Sequence, residues 1–311
     1  MKESFWKKYK IQDRIIWIFL TFLLWYLFIG DGIIALPFYF LFKAVDVSNA
    51  MYFVLSMYTI TIGGAISYFL LCLLKKNRGD VLHSVLPKKN SAYMLMMGLL
   101  LGFLMNFACI LCALLHGDIK LHYDFTASGI PLMAFAFISV FIQSSCEEMW
   151  TRGFMYERIN VHYPLWVAIV VNGTIFGLLH FPNPGLTPLA MADLIICGLA
   201  FSLLRWYSGS LWTCFGVHTM WNFTQNLIFG LPNSGLVSEA SIYKMSAMNA
   251  VSNWAYSYEF GVEGAVPAVL VDLLLGLGCL YLGWRAGRLH ELFEKKDNPV
   301  TMNFSVADTE I

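Results

Sequence analysis

The chain has 311 residues, 58% of them hydrophobic and only 13% charged, against roughly 25% charged in an ordinary soluble domain. That excludes a water-soluble globule. Twenty basic residues balance twenty acidic ones, so no net field recruits nucleic acid or an acidic partner. The seven cysteines show no disulfide spacing, and Cys109 and Cys112 lie inside an apolar run as small packed side chains.

The apolar residues fall in runs near the ~20 residues that cross a bilayer core as helix. The first covers residues 15–42 behind a basic tail and is too long for a signal peptide. Further runs cover 51–74, 92–115, 131–159, 165–180, 189–204, 210–229 and 266–282. In lipid only helices and closed barrels satisfy the backbone, and barrel strands would be shorter and alternating. The pattern therefore predicts an all-α polytopic membrane protein, a bundle of about eight transmembrane helices. It divides into an N-terminal membrane region with three helices (1–130), a membrane core (131–230), an extramembrane loop expected to cap the outer face (231–265), and a last helix with a tail (266–311).

With eight spans both ends share one side. Sixteen of the twenty basic residues fall there: Lys2, Lys7, Lys8, Lys10 and Arg14 in the tail, Lys75, Lys76, Arg78, Lys88 and Lys89 in one loop, then Arg158, Arg205, Arg285, Arg288, Lys295 and Lys296. Lys43, Lys120 and Lys244 fall opposite, and Arg152 lies inside a span. The positive-inside rule then predicts a multi-pass protein of the cell membrane with both termini cytoplasmic.

Charged groups at bilayer depth cost about 2.5–3.5 kcal/mol each even on insertion scales, so each asks for a reason. The fourth span holds Gln143, Cys146, Glu147, Glu148 and Arg152. Successive helical residues point about 100° apart, so the two glutamates have different surroundings, and Glu148 pairs with Arg152 at i, i+4 while Glu147 stays free. Phe176 and His180 share a face at i, i+4 in the fifth span, as His218 and Asn222 do in the seventh, with Gln225 continuing that polar stripe. Each motif alone also reads as structural: an ion-pair network, a satisfied core histidine, a polar helix interface. At ~1.5 Å per residue, however, Glu147 lies about 20 Å and His180 about 24 Å from the short loop their antiparallel helices share, and His218 and Asn222 lie ~12–18 Å into theirs. The four come level.

These residues resemble the three motifs of the CAAX-protease and bacteriocin-processing family of intramembrane endopeptidases: Glu147-Glu148 with Arg152, Phe176 with His180, and His218 with Asn222, in the family's order. The resemblance implies that Glu147 and His180 activate water, that His218 and Asn222 steady the oxyanion, and that Glu148, Arg152 and Phe176 support them. It implies as partners the lipid bilayer and a membrane-associated peptide or protein substrate, of the prenylated or bacteriocin-processing kind, with self-immunity as a further role in bacterial relatives. Glu147, His180 and His218 also make the His₂Glu donor set of a hydrolytic zinc site, so a divalent metal, zinc, is expected there, with a metal-free glutamate base as the alternative. Cys146 offers a rival nucleophile, although nothing marks it as an activated thiolate. Asp31, Asp193 and Asp272 match no motif and keep a proton- or ion-coupled transporter open as an alternative. A non-proteolytic membrane regulator or immunity protein is another.

Overall fold

Long apolar runs have one way to satisfy their backbone in lipid, and the computed structural model winds nearly all of them into helix. It describes residues 14–247 and 254–294; Lys2, Lys7, Lys8, Lys10, Lys295 and Lys296 of the charge argument lie outside the described residues. Helices α1 (Ile15–Ala44) and α2 (Asn49–Cys72) form a pair, the second capped by Ser48, whose Oγ accepts the Met51 N–H at 3.3 Å. A short α3 (Asp80–Val85) precedes α4 (Ser91–His116), which Gly117 ends in the left-handed conformation, φ 86°. Strand β1 (Ile119–Tyr123) leads into α5 (Ala127–His162). Helix α6 (Leu165–Leu179) follows, then α7 (Pro188–Ser208), with Pro188 in its first turn and Thr187 as its cap. Helix α8 (Leu211–Asn222) continues as a π-helical segment, Phe223–Ile228, before β2 (Tyr243–Ala247) and α9 (Val266–Arg285).

By length and composition α1, α2, α4, α5, α7 and α9 can cross a membrane, six helices where the hydropathy reading has eight. The other two exist but fall short. Helix α6 has 15 residues, and α8 with its continuation spends its length on His218, Asn222, Thr224, Gln225 and Asn226. These two carry His180 and the His218–Asn222 pair. The chain is thus an all-α, polytopic membrane protein.

One element lies outside the hydropathy reading altogether. Strands β1 and β2 pair antiparallel, from Ile119 opposite Ala247 to Tyr123 opposite Tyr243, as a ribbon at one end of the bundle. A run of rings ties it down: Phe103 on Phe107 at 5.6 Å, Phe107 on Phe229 at 5.9 Å, and Phe229 on Tyr243 and Tyr243 on Tyr123 at 5.6 Å each.

Two packing devices position the site. Helices α4 and α8 approach through glycine, and a Cβ on Gly98 would collide with the Thr213 carbonyl while one on Gly216 would collide with that of Leu95. On the other side Trp150 of α5 is wholly buried among Phe22, Tyr26, Tyr68 and Phe154, and its indole N–H donates to the Gly64 carbonyl at 2.8 Å. That fixes α5 against α1 and α2 one turn from Glu147. Helices α1, α2 and α5 are π-wound over Leu23–Ile34, Val54–Tyr58 and Met149–Met155, a winding frequent at functional sites.

Candidate active site

Glu147, His180, His218 and Asn222 line one cavity of about 400 Å³. Tyr26, Leu27 and Met57 of the first two helices wall one side, Phe176 and Phe201 another, and Asn233 and Ser234 lie at the ribbon end. The sequence spacing separates the two glutamates, and the structure does the same. Glu148 is fully buried, its Oε1 accepting from Arg152 Nη1 at 2.7 Å and from His218 Nδ1 at 2.9 Å. Glu147 is partly exposed to the cavity, with Oε2 3.7 Å from His218 Nε2.

The Glu148–Arg152 pair expected at i, i+4 is present, and it reaches further than the spacing indicates. Arg152 Nη2 donates to the Gly198 carbonyl of α7 at 3.2 Å, and its guanidinium carbon stands 4.3 Å from the Phe176 ring centre and 5.5 Å from that of Phe201. Below it, Thr151 Oγ1 donates to the Glu147 carbonyl at 2.6 Å, Asn172 donates to the Thr151 carbonyl at 2.6 Å, and Ser202 donates to Asn172 Oδ1 at 3.0 Å. Four helices are thereby linked through buried side chains, although Glu148 Oε2 and Arg152 Nε have no hydrogen-bond partner among the described residues.

The ring orientations follow from acceptors. His180 Nδ1 is 2.9 Å from the Phe176 carbonyl; a carbonyl only accepts, so Nδ1 carries the hydrogen and Nε2 is left for the cavity. The same holds for His218, whose Nδ1–H donates to Glu148 and whose Nε2 turns to Glu147. Phe176 touches both rings, with centroids 5.0 Å from His180 and 6.1 Å from His218.

An Nδ1 held by a carbonyl or carboxylate, with Nε2 turned inward, is the arrangement of a metal-binding histidine. The donor chemistry of Glu147, His180 and His218 therefore suits zinc, while among the described residues no three His, Cys, Asp or Glu side chains are gathered as a ligand set.

Residues the spacing left without a role also enter. Gln143 donates through Nε2 to Glu147 Oε1 at 2.5 Å and accepts at Oε1 from Asn222 Nδ2 at 3.1 Å. It precedes Glu147 by four residues, the same interval that links Glu148 to Arg152. Gln225 turns away from the cavity and donates to the Pro232 carbonyl at 2.6 Å, holding the chain that passes over the ribbon end. Cys146 is wholly buried against Gly64 and does not line the cavity. Asp31 is exposed on α1, and Asp193 and Asp272 are buried on the packed helices α7 and α9, each with an Oδ1 that has no hydrogen-bond partner among the described residues.

Residues 129–224, which run from α5 through α8 into its π-helical continuation, match the family model of the type II CAAX prenyl endopeptidase Rce1-like proteins. A curated relative, the "Uncharacterized protein YyaK" of Bacillus subtilis (strain 168), is 33% identical over 110 residues, 33% of this chain and 36% of that protein. The match spans about a third of that relative's length. The matched segment contains all three motifs together with the Glu148–Arg152–His218 unit. Over residues 129–224 the chain is thus similar to the type II CAAX prenyl endopeptidase Rce1-like family.

Proposed function

We propose that the protein is an intramembrane endopeptidase that hydrolyses a peptide bond of a membrane-associated protein or peptide. The observation that carries this is the opposition of Glu147 Oε2 and His218 Nε2 at 3.7 Å in a cavity that also holds His180 and Asn222. Glu147 takes a proton from a water whose other hydrogen is accepted by His180 Nε2, and the water oxygen bonds to the substrate carbonyl carbon. Charge develops on the carbonyl oxygen, where donors are worth most. His218 supplies one from Nε2 when its ring carries both protons, a state that the Glu147 and Glu148 carboxylates beside it accommodate. Asn222 supplies the other: its Nδ2 bond to Ser144 Oγ is 3.4 Å, the weaker of its two, and is the one an oxyanion replaces. The C–N bond then breaks and the proton on Glu147 passes to the leaving nitrogen, giving a carboxylic acid and an amine.

In the other version of the site Glu147, His180 and His218 would instead hold zinc, which would supply a polarised water in place of the glutamate base, with Asn222 left to bind the substrate carbonyl. Elemental analysis of purified protein tests it: about one zinc per chain, lost in His180→Ala and His218→Ala and kept in Asn222→Ala, supports the metal; full activity that ignores chelators in metal-free protein overturns it.

The proposed setting is the cell membrane, with both termini cytoplasmic and the ribbon end outward. Cleavage itself is tested with a quenched-fluorescent library of apolar peptides in vesicles containing the protein. Glu147→Gln and His180→Ala should each abolish turnover while membrane levels stay near normal, and His218→Ala should abolish it too, with some loss of folded protein because the buried Glu148 loses a donor. If all three retain turnover, the peptidase reading fails and a non-proteolytic regulator or immunity protein takes its place.

A further inference from the structure

The proposed reaction needs two groups aligned at once, a base on α5 and an oxyanion donor on α8, and helices that meet only through apolar contact leave such alignment loose. One side chain spans the gap. Gln143 lies a turn before Glu147 on α5, and its carboxamide is used from both ends: Nε2 donates to Glu147 Oε1 at 2.5 Å, and Oε1 accepts from Asn222 Nδ2 at 3.1 Å and from Ser144 Oγ at 3.1 Å. The orientation of that amide is fixed by chemistry, because an ionised carboxylate only accepts and so demands the NH₂ end. The carbonyl end is then forced toward Asn222, which must answer with its own NH₂.

Two consequences follow from this chain of bonds. Glu147 is held by Oε1, so Oε2 is the oxygen left to face His218 Nε2 at 3.7 Å. Asn222 is held with its NH₂ toward α5, so the hydrogen not used by Gln143 is the one offered to Ser144 at 3.4 Å and to a substrate oxygen. Without Gln143 either amide or carboxylate is free to rotate, and a flipped Asn222 would present a carbonyl oxygen to a developing oxyanion.

We infer that Gln143 is a positioning residue that sets the Glu147 carboxylate and the Asn222 carboxamide in register across the α5–α8 contact. It lines the same cavity, and its role is exerted through those two residues. The inference rests on the peptidase reading above.

The test compares wild-type protein with Gln143→Leu, a near-isosteric change that removes both bonds, on the same peptide library in vesicles. Gln143→Leu should lower kcat by about 10- to 100-fold, the scale of a small misplacement, while KM stays within about threefold, as expected when ground-state binding is untouched. Combined with Asn222→Ala it should lose little beyond the worse single change, because both act in one unit. Unchanged kcat, or losses that multiply, overturns the inference, and so does a kcat loss that comes with an equal fall in the unfolding midpoint. A second readout needs no substrate. Dicyclohexylcarbodiimide labels carboxyl groups in membranes, and peptide mass spectrometry should find Glu147 labelled several-fold faster in Gln143→Leu than in wild type; equal rates refute the tie. If wild-type protein cleaves no library member, the peptidase reading fails while the labelling result still decides the role of Gln143.

Discussion

Glu148 is the residue on which the site depends for its shape. A carboxylate with no exposure is stable only when its charge is matched, and one oxygen here serves both Arg152 and His218. Arg152→Ala removes the charge partner, the bond to the Gly198 carbonyl and the stack on Phe176. Breaking a buried pair from one side costs about 3–5 kcal/mol, so this variant should show markedly lower folded protein in membranes, read by fluorescence-detected gel filtration. Glu147→Gln should differ, with normal folded levels and no turnover, because Glu147 opens to the cavity and its amide replacement keeps an acceptor for Gln143. Equal levels of the two variants would contradict this division. The division itself was legible in the sequence, since adjacent helical residues diverge and Glu148 reaches Arg152 at i, i+4. The bond from His218 to Glu148 was not, because the two residues are 70 positions apart and only the packing of α8 on α5 brings them together. Gln143 was legible by the same i, i+4 interval toward Glu147, but its second bond to Asn222 depends on that same packing.

At the scale of elements, the helix limits came through because apolar runs end where caps stand: Ser48, Thr187 and Ser210 each accept a backbone N–H at a helix start. The ribbon did not come through. Ile119–Tyr123 and Tyr243–Ala247 are short and far apart in the chain, and pairing at such separation leaves no local signal. The π-wound stretches were invisible for a related reason, as they answer to tertiary packing around the cavity. Beyond α9 the chain is latched back onto α7. Arg288 donates to the Tyr207 carbonyl at 3.0 Å and the Trp206 carbonyl at 3.2 Å, and to Glu291, which also accepts from the Trp206 indole at 2.8 Å. The hydrogen bonds from Arg288 hold the Glu291 carboxyl below its ordinary value. A depressed folded pKa contributes stability that is present above the unfolded value of about 4.3 and is lost as pH falls through the lower, folded one. A nitroxide at Phe293 should therefore be immobile at neutral pH and gain mobility below that range, and Glu291→Gln should be mobile at neutral pH already. Mobility that ignores both pH and the substitution would rule out the latch.

Taken whole, the molecule places its cavity toward the ribbon end, and the basic residues gather at the other. In the proposed orientation that cavity is nearer the outer face. Lys89 and Val237 are exposed at opposite ends. In a cysteine-free background, an impermeant maleimide on intact cells should label a cysteine at 237 and spare one at 89; the reverse would invert the topology. The acids Asp193 and Asp272 stay outside the account, buried away from the cavity. The central claim is that water attacks a peptide bond with Glu147 as base. Its most direct test is to incubate vesicles holding wild-type or Glu147→Gln protein with the peptide library in H₂¹⁸O and read the products by mass spectrometry. The account predicts new C-termini carrying ¹⁸O with wild-type protein and none with the variant, and the same labelled products at the same rate from Glu147→Gln, or no new C-termini from either, would contradict it.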